Sequence, residues 1–77
     1  MHTPTPLSEA PHATPLEITG LDVARAARRL AALGLEPGVV VTITRRAPFG
    51  GPLLVALASG RLALRADEAA QVLVVPR

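Results

Sequence analysis

The fold is decided by the stretch RLAALGLEPG, residues 29–38. Gly34 supplies the left-handed conformation at which a helix can end, and Leu35 is then expected to fold back onto Leu30. The pair Pro37-Gly38 predicts a tight turn, because proline presets φ at the first central position and glycine tolerates a positive φ at the second. The stretch therefore predicts a helix end, a turn and the start of a strand in direct succession.

An amphipathic helix leads into this stretch. Residues 23–33 carry apolar side chains at helical spacing, and Asp22 stands where an N-cap is expected. The apolar face contains Val23, Ala26, Ala27, Leu30 and Leu33. The opposite face carries Arg25, Arg28 and Arg29. We interpret the following residues as structural supports that hold the helix against the rest of the domain: Leu30, Leu33, Gly34, Pro37 and Gly38.

Short strands flank the helix. A strand over residues 15–18, ended by Gly20, precedes it, and a run of β-branched residues predicts a second strand over residues 39–46. Towards the end of the chain, a single helical turn over residues 67–70 leads to a last strand over residues 72–75.

Residues 53–65 predict a β-hairpin with a two-residue turn at Ser59-Gly60. That register gives two inward-facing pairs, Leu57 with Leu62 and Val55 with Leu64. The outer side then carries Leu54, Ala56 and Ala58, positions at which polar residues are commoner on an exposed sheet face.

The order of elements is strand, helix, three strands, helical turn and strand. A rival interpretation, one continuous helix over residues 61–72, conflicts with the hairpin register. Five short strands around an aliphatic core predict a mainly β fold, a small and strongly bent barrel with the helix over one opening. Residues 1–13 contain three prolines and are expected to form a flexible arm, with residues 14–77 as the folded domain.

The composition excludes several classes of function. The 77 residues contain no cysteine, lysine, tyrosine or tryptophan, and Phe49 is the one phenylalanine. Thiolate chemistry is therefore excluded, a P-loop lacks its lysine, and recognition by aromatic stacking is disfavoured. A formal charge of +2 is too small to indicate nucleic-acid binding. With no membrane-spanning run and no signal sequence, the protein is expected to be cytoplasmic.

No metal site, cofactor or catalytic residue is expected. The two imidazoles, His2 and His12, fall in the predicted arm, and the carboxylates of Asp67 and Glu68 are adjacent in sequence and do not face each other. We interpret Asp67 as the cap of the helical turn.

A set of short motifs follows in a fixed order along the chain: Ile18-Thr19-Gly20, Arg29-Leu30, Leu33-Gly34-Leu35, Pro37-Gly38, Ala47-Pro48, Gly50-Gly51-Pro52, Leu64-Arg65, Asp67-Glu68-Ala69, Val72 and Val74. In this combination the chain resembles the FeoA family, the small accessory proteins of bacterial ferrous-iron uptake. The chain departs from the family pattern at Pro11-His12, where a glycine is usual, and at the apolar outer side of the hairpin.

The resemblance implies an SH3-like β-barrel and a non-catalytic role in support of FeoB, the membrane GTPase that carries Fe²⁺. The related barrel also occurs in metal-dependent repressors of the diphtheria-toxin-repressor type. The alternative function is therefore a metal-sensing or regulatory module that works beside an iron-dependent repressor.

Two surfaces are candidates for partner binding. The first is the basic face of the helix, which would dock on an acidic surface of FeoB or on anionic lipid. A merely solvated face is the alternative, and Arg45, Arg46 and Arg65 would extend the basic patch. The second is an apolar strip on the outer side of the hairpin, near Val40, for which self-association into a weak homo-oligomer is the alternative. The predicted partner-binding residues are Arg25, Arg28, Arg29, Phe49, Gly50, Gly51, Leu54 and Ala56.

Overall fold

The computed structural model of the protein describes residues 3–21 and 24–77, with the backbone alone for residues 24–26. Some sequence predictions lie outside this description: the imidazole of His2, the N-cap Asp22, the helical Val23 and the side chains of Arg25 and Ala26.

Within the described residues, six antiparallel strands and two helices form the fold. In chain order the elements are β1 (Thr5–Pro6), a 3-10 turn (Leu7–Glu9), β2 (Leu16–Leu21), α1 (Ala24–Ala32), β3 (Val40–Arg46), β4 (Leu53–Leu57), β5 (Gly60–Leu64), α2 (Ala66–Ala69) and β6 (Val72–Pro76). The strands form one sheet in the order β1-β6-β2-β3-β4-β5, so β1 and β5 are its edges. The predicted mainly β fold and its order of elements are confirmed, with one further strand at the N-terminal end.

Aliphatic side chains from five strands, both helices and the 3-10 turn form a single core. The largest fully buried side chains are Leu7, Leu16, Ile18, Leu30, Leu35, Val41, Ile43, Val55, Leu64, Val72 and Val74. Phe49 is not among them, so the one aromatic residue of the chain contributes nothing to the core.

Helix α1 ends by the mechanism that the sequence predicts. Gly34 has a φ of +91°. Its N–H donates to the Ala31 carbonyl at 2.9 Å, and the Leu35 N–H donates to the Leu30 carbonyl at 3.0 Å. This pair of bonds is a Schellman motif, and both Leu30 and Leu35 are buried in the core.

The tight turn after the helix is also confirmed. Gly38 has a φ of +93°, and the Val39 N–H closes the turn on the Glu36 carbonyl at 3.1 Å. Ile18 of β2 accepts from the Gly38 N–H at 2.7 Å and donates to the Val39 carbonyl at 2.9 Å. The turn is thereby fastened to β2, which places β3 alongside it.

Leu33 differs from its prediction as a buried support. Helix α1 ends at Ala32, and Leu33 lies in the following turn with 43% of its surface exposed. Leu33 thus lies beyond the last residue of α1, and its side chain is not part of the core. A Cβ on Gly34 would lie 3.4 Å from Leu57 Cδ1 and 3.8 Å from Ser59 Oγ, so the end of α1 lies against the β4–β5 hairpin.

Strand β2 continues past its predicted end. It runs to Leu21, and its ladder with β6 shifts register between Ile18 and Gly20. Gly20 therefore lies at an irregularity inside the strand, a common place for a strand glycine, and does not terminate it.

The β4–β5 hairpin pairs two residues away from the predicted register. Leu57 lies opposite Gly60 and Val55 opposite Leu62, so the turn residues are Ala58-Ser59. Gly60 has a φ of +139°, a conformation that L side chains rarely adopt, and it opens the returning strand instead of completing the turn. Because a shift of two residues keeps every side chain on its side of the sheet, the predicted inner and outer faces are unchanged.

The N-terminal segment packs onto the sheet, although its composition predicts a flexible arm. Thr5 pairs with Val74 in the β1–β6 ladder. Leu7 is 0% exposed and Ala10 is 4% exposed, and both belong to the core. The local composition could not reveal this packing, because the core that these residues complete is formed by the opposite end of the chain.

Arg46 connects this segment to β3. Its Nη1 donates to the Ser8 carbonyl at 2.7 Å, and its Nη2 donates to the Ala10 carbonyl. The guanidinium thus satisfies two carbonyls that no strand partner reaches.

Arg46→Ala is expected to loosen residues 5–10 and to cost about 1–2 kcal/mol, since two charge-assisted hydrogen bonds are lost at a partly solvated site. Amide hydrogen exchange at Ala10, which donates to the Leu7 carbonyl, should become faster. Arg45→Ala is the control, because the described residues offer Arg45 no such bonds. Equal exchange in the two variants would contradict the assigned role of Arg46.

Candidate interaction surface

The outer face of strands β3, β4 and β5, here called the outer face, combines an apolar centre with basic flanks. Leu54 is 40% exposed and lies opposite Arg45 on β3 and Ala63 on β5. Next to it, Ala56 lies between Thr42 of β3 and Arg61 of β5. Directly opposed residues of antiparallel strands share a face, so these six side chains form one surface.

The loop between β3 and β4 forms a second, adjoining feature, here called the loop tip (Pro48–Gly51). Phe49 and Gly50 have φ values of +58° and +72°, and the Gly51 N–H closes the turn on the Pro48 carbonyl at 3.2 Å. Positive φ at both central residues is the pattern of a type I′ hairpin turn. The Phe49 side chain is completely exposed, at 104% of its reference area.

Gly51 is required for this loop to close. A Cβ at residue 51 would lie 2.7 Å from the Ala47 Cβ and 3.2 Å from the Pro48 carbonyl oxygen. The Ala47 N–H donates to the Pro52 carbonyl at 3.0 Å, which continues the hairpin up to the turn. Gly51 therefore allows the close approach of the backbone within the loop. Phe49 lies at the tip of a short loop that two backbone hydrogen bonds hold in place.

A groove of about 260 Å³ joins the loop tip to the outer face. Its lining includes Pro48 and Pro52 on the loop side, with Arg45 and Leu54 on the strand side. Of the predicted residues, Phe49 and Gly50 therefore lie in the loop tip, Leu54 and Ala56 lie on the outer face, and the groove adjoins both features.

The charged side chains between residues 37 and 66, the segment that contains the outer face and the loop tip, are all positive. No acidic residue occurs between Glu36 and Asp67, a segment that contains Arg45, Arg46, Arg61 and Arg65. Arg46 is directed to the N-terminal carbonyls, and Arg45 and Arg61 remain on opposite flanks of the apolar centre. The outer face thus favours a partner with acidic groups around an apolar centre.

The basic face of α1 is not uniformly available to a partner. Arg29 Nη2 lies 2.6 Å from Glu68 Oε2, which ties α1 to α2. Glu68 Oε1 accepts from the Arg65 N–H at 2.9 Å. Arg28 is exposed, and the side chain of Arg25 lies outside the description. Arg29 is therefore engaged in an ion pair, while 67% of its side chain stays exposed.

Glu68 performs the capping role that the sequence assigns to Asp67. Helix α2 begins at Ala66, one residue earlier than predicted, with Arg65 at the N-cap and Glu68 at the third helical position. Asp67 is thereby inside the first turn and exposed. The spacing of Arg65 and Glu68 could have suggested this arrangement, because a glutamate three residues after an N-cap often accepts from the N-cap N–H.

In the described part of the chain, no three side chains suited to metal binding come together. His12 is exposed. Among the described residues, no helix is long and apolar enough to cross a bilayer.

Known proteins share this fold. The crystal structure of Stenotrophomonas maltophilia FeoA complexed with zinc, described as a prokaryotic SH3 domain protein, is 34% identical with a TM-score of 0.76, over 96% of this chain and 91% of that one. The NMR structure of a FeoA-like protein from Clostridium acetobutylicum is 26% identical with a TM-score of 0.88, over 99% of this chain and 90% of that one.

Repressors contain the same fold. A manganese-dependent transcriptional repressor superposes with a TM-score of 0.85 at 21% identity, over 99% of this chain and 44% of its own. That likeness concerns the fold alone. Among curated proteins, no sequence matches the chain. The sequence model of the FeoA domain family, however, matches residues 5–76 of the chain. The chain therefore belongs to the FeoA family.

Proposed function

We propose that this protein is a non-catalytic accessory protein of bacterial ferrous-iron uptake, which docks in the cytoplasm on the membrane GTPase FeoB and modulates Fe²⁺ transport. Family membership supports the pathway. The observation that supports docking is the outer face, on which Leu54 is exposed beside Arg45, and Ala56 next to it lies beside Arg61.

The geometry of the outer face suits protein docking. Ala56 and Ala63 beside Leu54 are small, so a partner backbone or side chain can approach the sheet closely. A buried aliphatic anchor surrounded by charged groups is the usual arrangement of an interface, in which the centre carries the binding energy and the rim selects the partner. The positive flanks also steer an acidic partner towards the face.

The regulatory alternative rests on the shared repressor fold. In that case the protein would respond to Fe²⁺ itself, and the outer face would serve contacts with a repressor or with a second copy of the chain. A sensing module would bind Fe²⁺ directly, whereas an accessory protein would bind FeoB. Titrations with Fe²⁺ and with FeoB therefore separate the two functions.

Leu54→Glu is expected to weaken binding to the soluble GTPase domain of FeoB by about thirtyfold or more, because a charge replaces the apolar anchor of the interface. Leu33→Glu is the matched control, since Leu33 in the turn after α1 is 43% exposed and Leu54 in β4 is 40% exposed. Binding is measured by calorimetric titration, and circular dichroism verifies that both variants are folded.

An equal loss in both variants would contradict docking through the outer face, and an unchanged affinity in Leu54→Glu would do the same. A parallel titration with Fe²⁺ alone, followed by amide NMR, tests the alternative. Saturable shifts in a defined group of residues would favour sensing over the accessory role.

A further inference from the structure

We propose that the loop tip docks on an anionic phospholipid surface, with Phe49 as its apolar anchor. The proposal concerns a second contact of the protein and stands independently of docking on FeoB. It rests on the exposure and backbone conformation of Phe49, on the chemistry of the loop and on the distribution of charge around it.

Folding alone does not account for a phenylalanine at residue 49. Its φ of +58° is uncommon for a bulky side chain, and type I′ turns favour asparagine, aspartate or glycine at this position. The side chain is 104% exposed and gains no packing in return. A residue that is unfavourable for the turn and contributes nothing to the core points to a contact outside the chain.

The loop tip has the chemistry of a segment that can enter the bilayer interface. Residues 47–52 read APFGGP and contain no charged or hydrogen-bonding side chain. Two backbone hydrogen bonds, from Ala47 to Pro52 and from Gly51 to Pro48, satisfy polar groups within the turn. Such a loop offers a specific protein pocket few polar contacts, whereas it can enter the headgroup region at little desolvation cost.

The surrounding charge matches an anionic membrane. Arg45 lies on the outer face and lines the groove next to the loop tip, whereas Arg61 lies further along that face, opposite Ala56 near the β4–β5 turn. On the other side, a groove next to Gly50-Gly51 is lined by Arg65 and Asp67, whose charges offset each other. The basic charge therefore lies on the side of the outer face. From there Arg45 can reach lipid phosphates while Phe49 enters the interface, and Arg61 adds attraction at longer range.

Phe49→Trp provides a clean probe, because the chain contains no tryptophan or tyrosine. Vesicles of phosphatidylcholine with about one third phosphatidylglycerol should shift the emission of this variant to shorter wavelength, and brominated lipids should quench it. Vesicles of phosphatidylcholine alone should do neither. The wild-type protein should sediment with the anionic vesicles, and raising the salt concentration should release it.

Phe49→Asn separates lipid binding from folding. Asparagine suits the turn, so the Tm should equal or exceed that of the wild type, while sedimentation with anionic vesicles should fall about fivefold or more. Arg45→Gln, next to the loop tip, should lower it by about fivefold, and Arg61→Gln, further along the outer face, should lower it less. Leu33→Asn, which replaces an exposed apolar residue in the turn after α1, should bind as the wild type does.

Several results would overturn the proposal. One is emission of Phe49→Trp that stays at the wavelength of solvent-exposed tryptophan in anionic vesicles, and another is unchanged sedimentation of Phe49→Asn. A shift that appears with the lipid-free GTPase domain of FeoB, but not with vesicles, would assign Phe49 to a protein contact. Because the vesicle assay contains no other protein and the GTPase titration contains no lipid, either proposal can fail without the other.

Discussion

Leu30→Ala is expected to lower the free energy of unfolding by about 2–5 kcal/mol. Leu30 is 1% exposed and packs in the core from α1. Its truncation leaves a cavity between the helix and the sheet, at the place where the Schellman motif anchors the helix end. In a domain of this size, each kcal/mol lowers the Tm by about 4–8 °C, so the loss should be plain in a melting curve.

Leu33→Ala is the control for this variant. The two leucines are three residues apart, but Leu33 is 43% exposed and should cost at most about 0.5 kcal/mol. Far-UV circular dichroism and calorimetry are the suitable measurements, because the chain has no tryptophan to report unfolding. Similar losses in the two variants would remove Leu30 from the core.

Glu68→Ala is expected to lower the free energy of unfolding by about 1–3 kcal/mol. One carboxylate oxygen accepts from the Arg65 N–H at the start of α2, and the other pairs with Arg29 at 2.6 Å. The side chain of Glu68 is only 11% exposed, so the groups that it satisfies cannot all turn to water when it is removed. The substitution should loosen α2 and release α1 from it.

Two further variants divide this effect between the hydrogen bond and the ion pair. Arg29 is 67% exposed, so solvent screens the pair and Arg29→Ala should cost at most about 1 kcal/mol. Glu68→Gln keeps an acceptor for the Arg65 N–H and should fall between Arg29→Ala and Glu68→Ala. If Arg29→Ala costs as much as Glu68→Ala in urea titrations, the ion pair dominates and the capping bond does not.

The Arg29–Glu68 contact also changes the interpretation of the basic helix face. Arg28 remains an exposed charge, whereas Arg29 is held by a nearly buried carboxylate 39 residues further along the chain. The spacing of three arginines on one helix face indicated a common surface. It could not indicate that a residue from α2 would pair with one of them.

Features that depend on a few neighbouring residues could be predicted from sequence. The helix cap at Gly34 and the turn at Gly38 both need a residue with positive φ. The presence of glycine at these positions was therefore enough to predict them. The inner and outer sides of the hairpin follow from a period of two, so they survived a register shift of two residues. The register itself was less secure, because Gly60 can serve equally well in the turn or at the start of the strand.

Residue patterns along the chain were enough to predict the mainly β fold, the helix end, the turn into β3 and the apolar outer face with Leu54. These features are local, and short-range sterics and side-chain alternation specify them. Other features became visible in the folded chain alone. Leu7 and Ala10 complete the core, and Leu33 is exposed. Arg46 and Glu68 connect segments that are distant in sequence. Each of these features depends on contacts between elements that are distant in sequence, and no local residue pattern indicates which elements will meet.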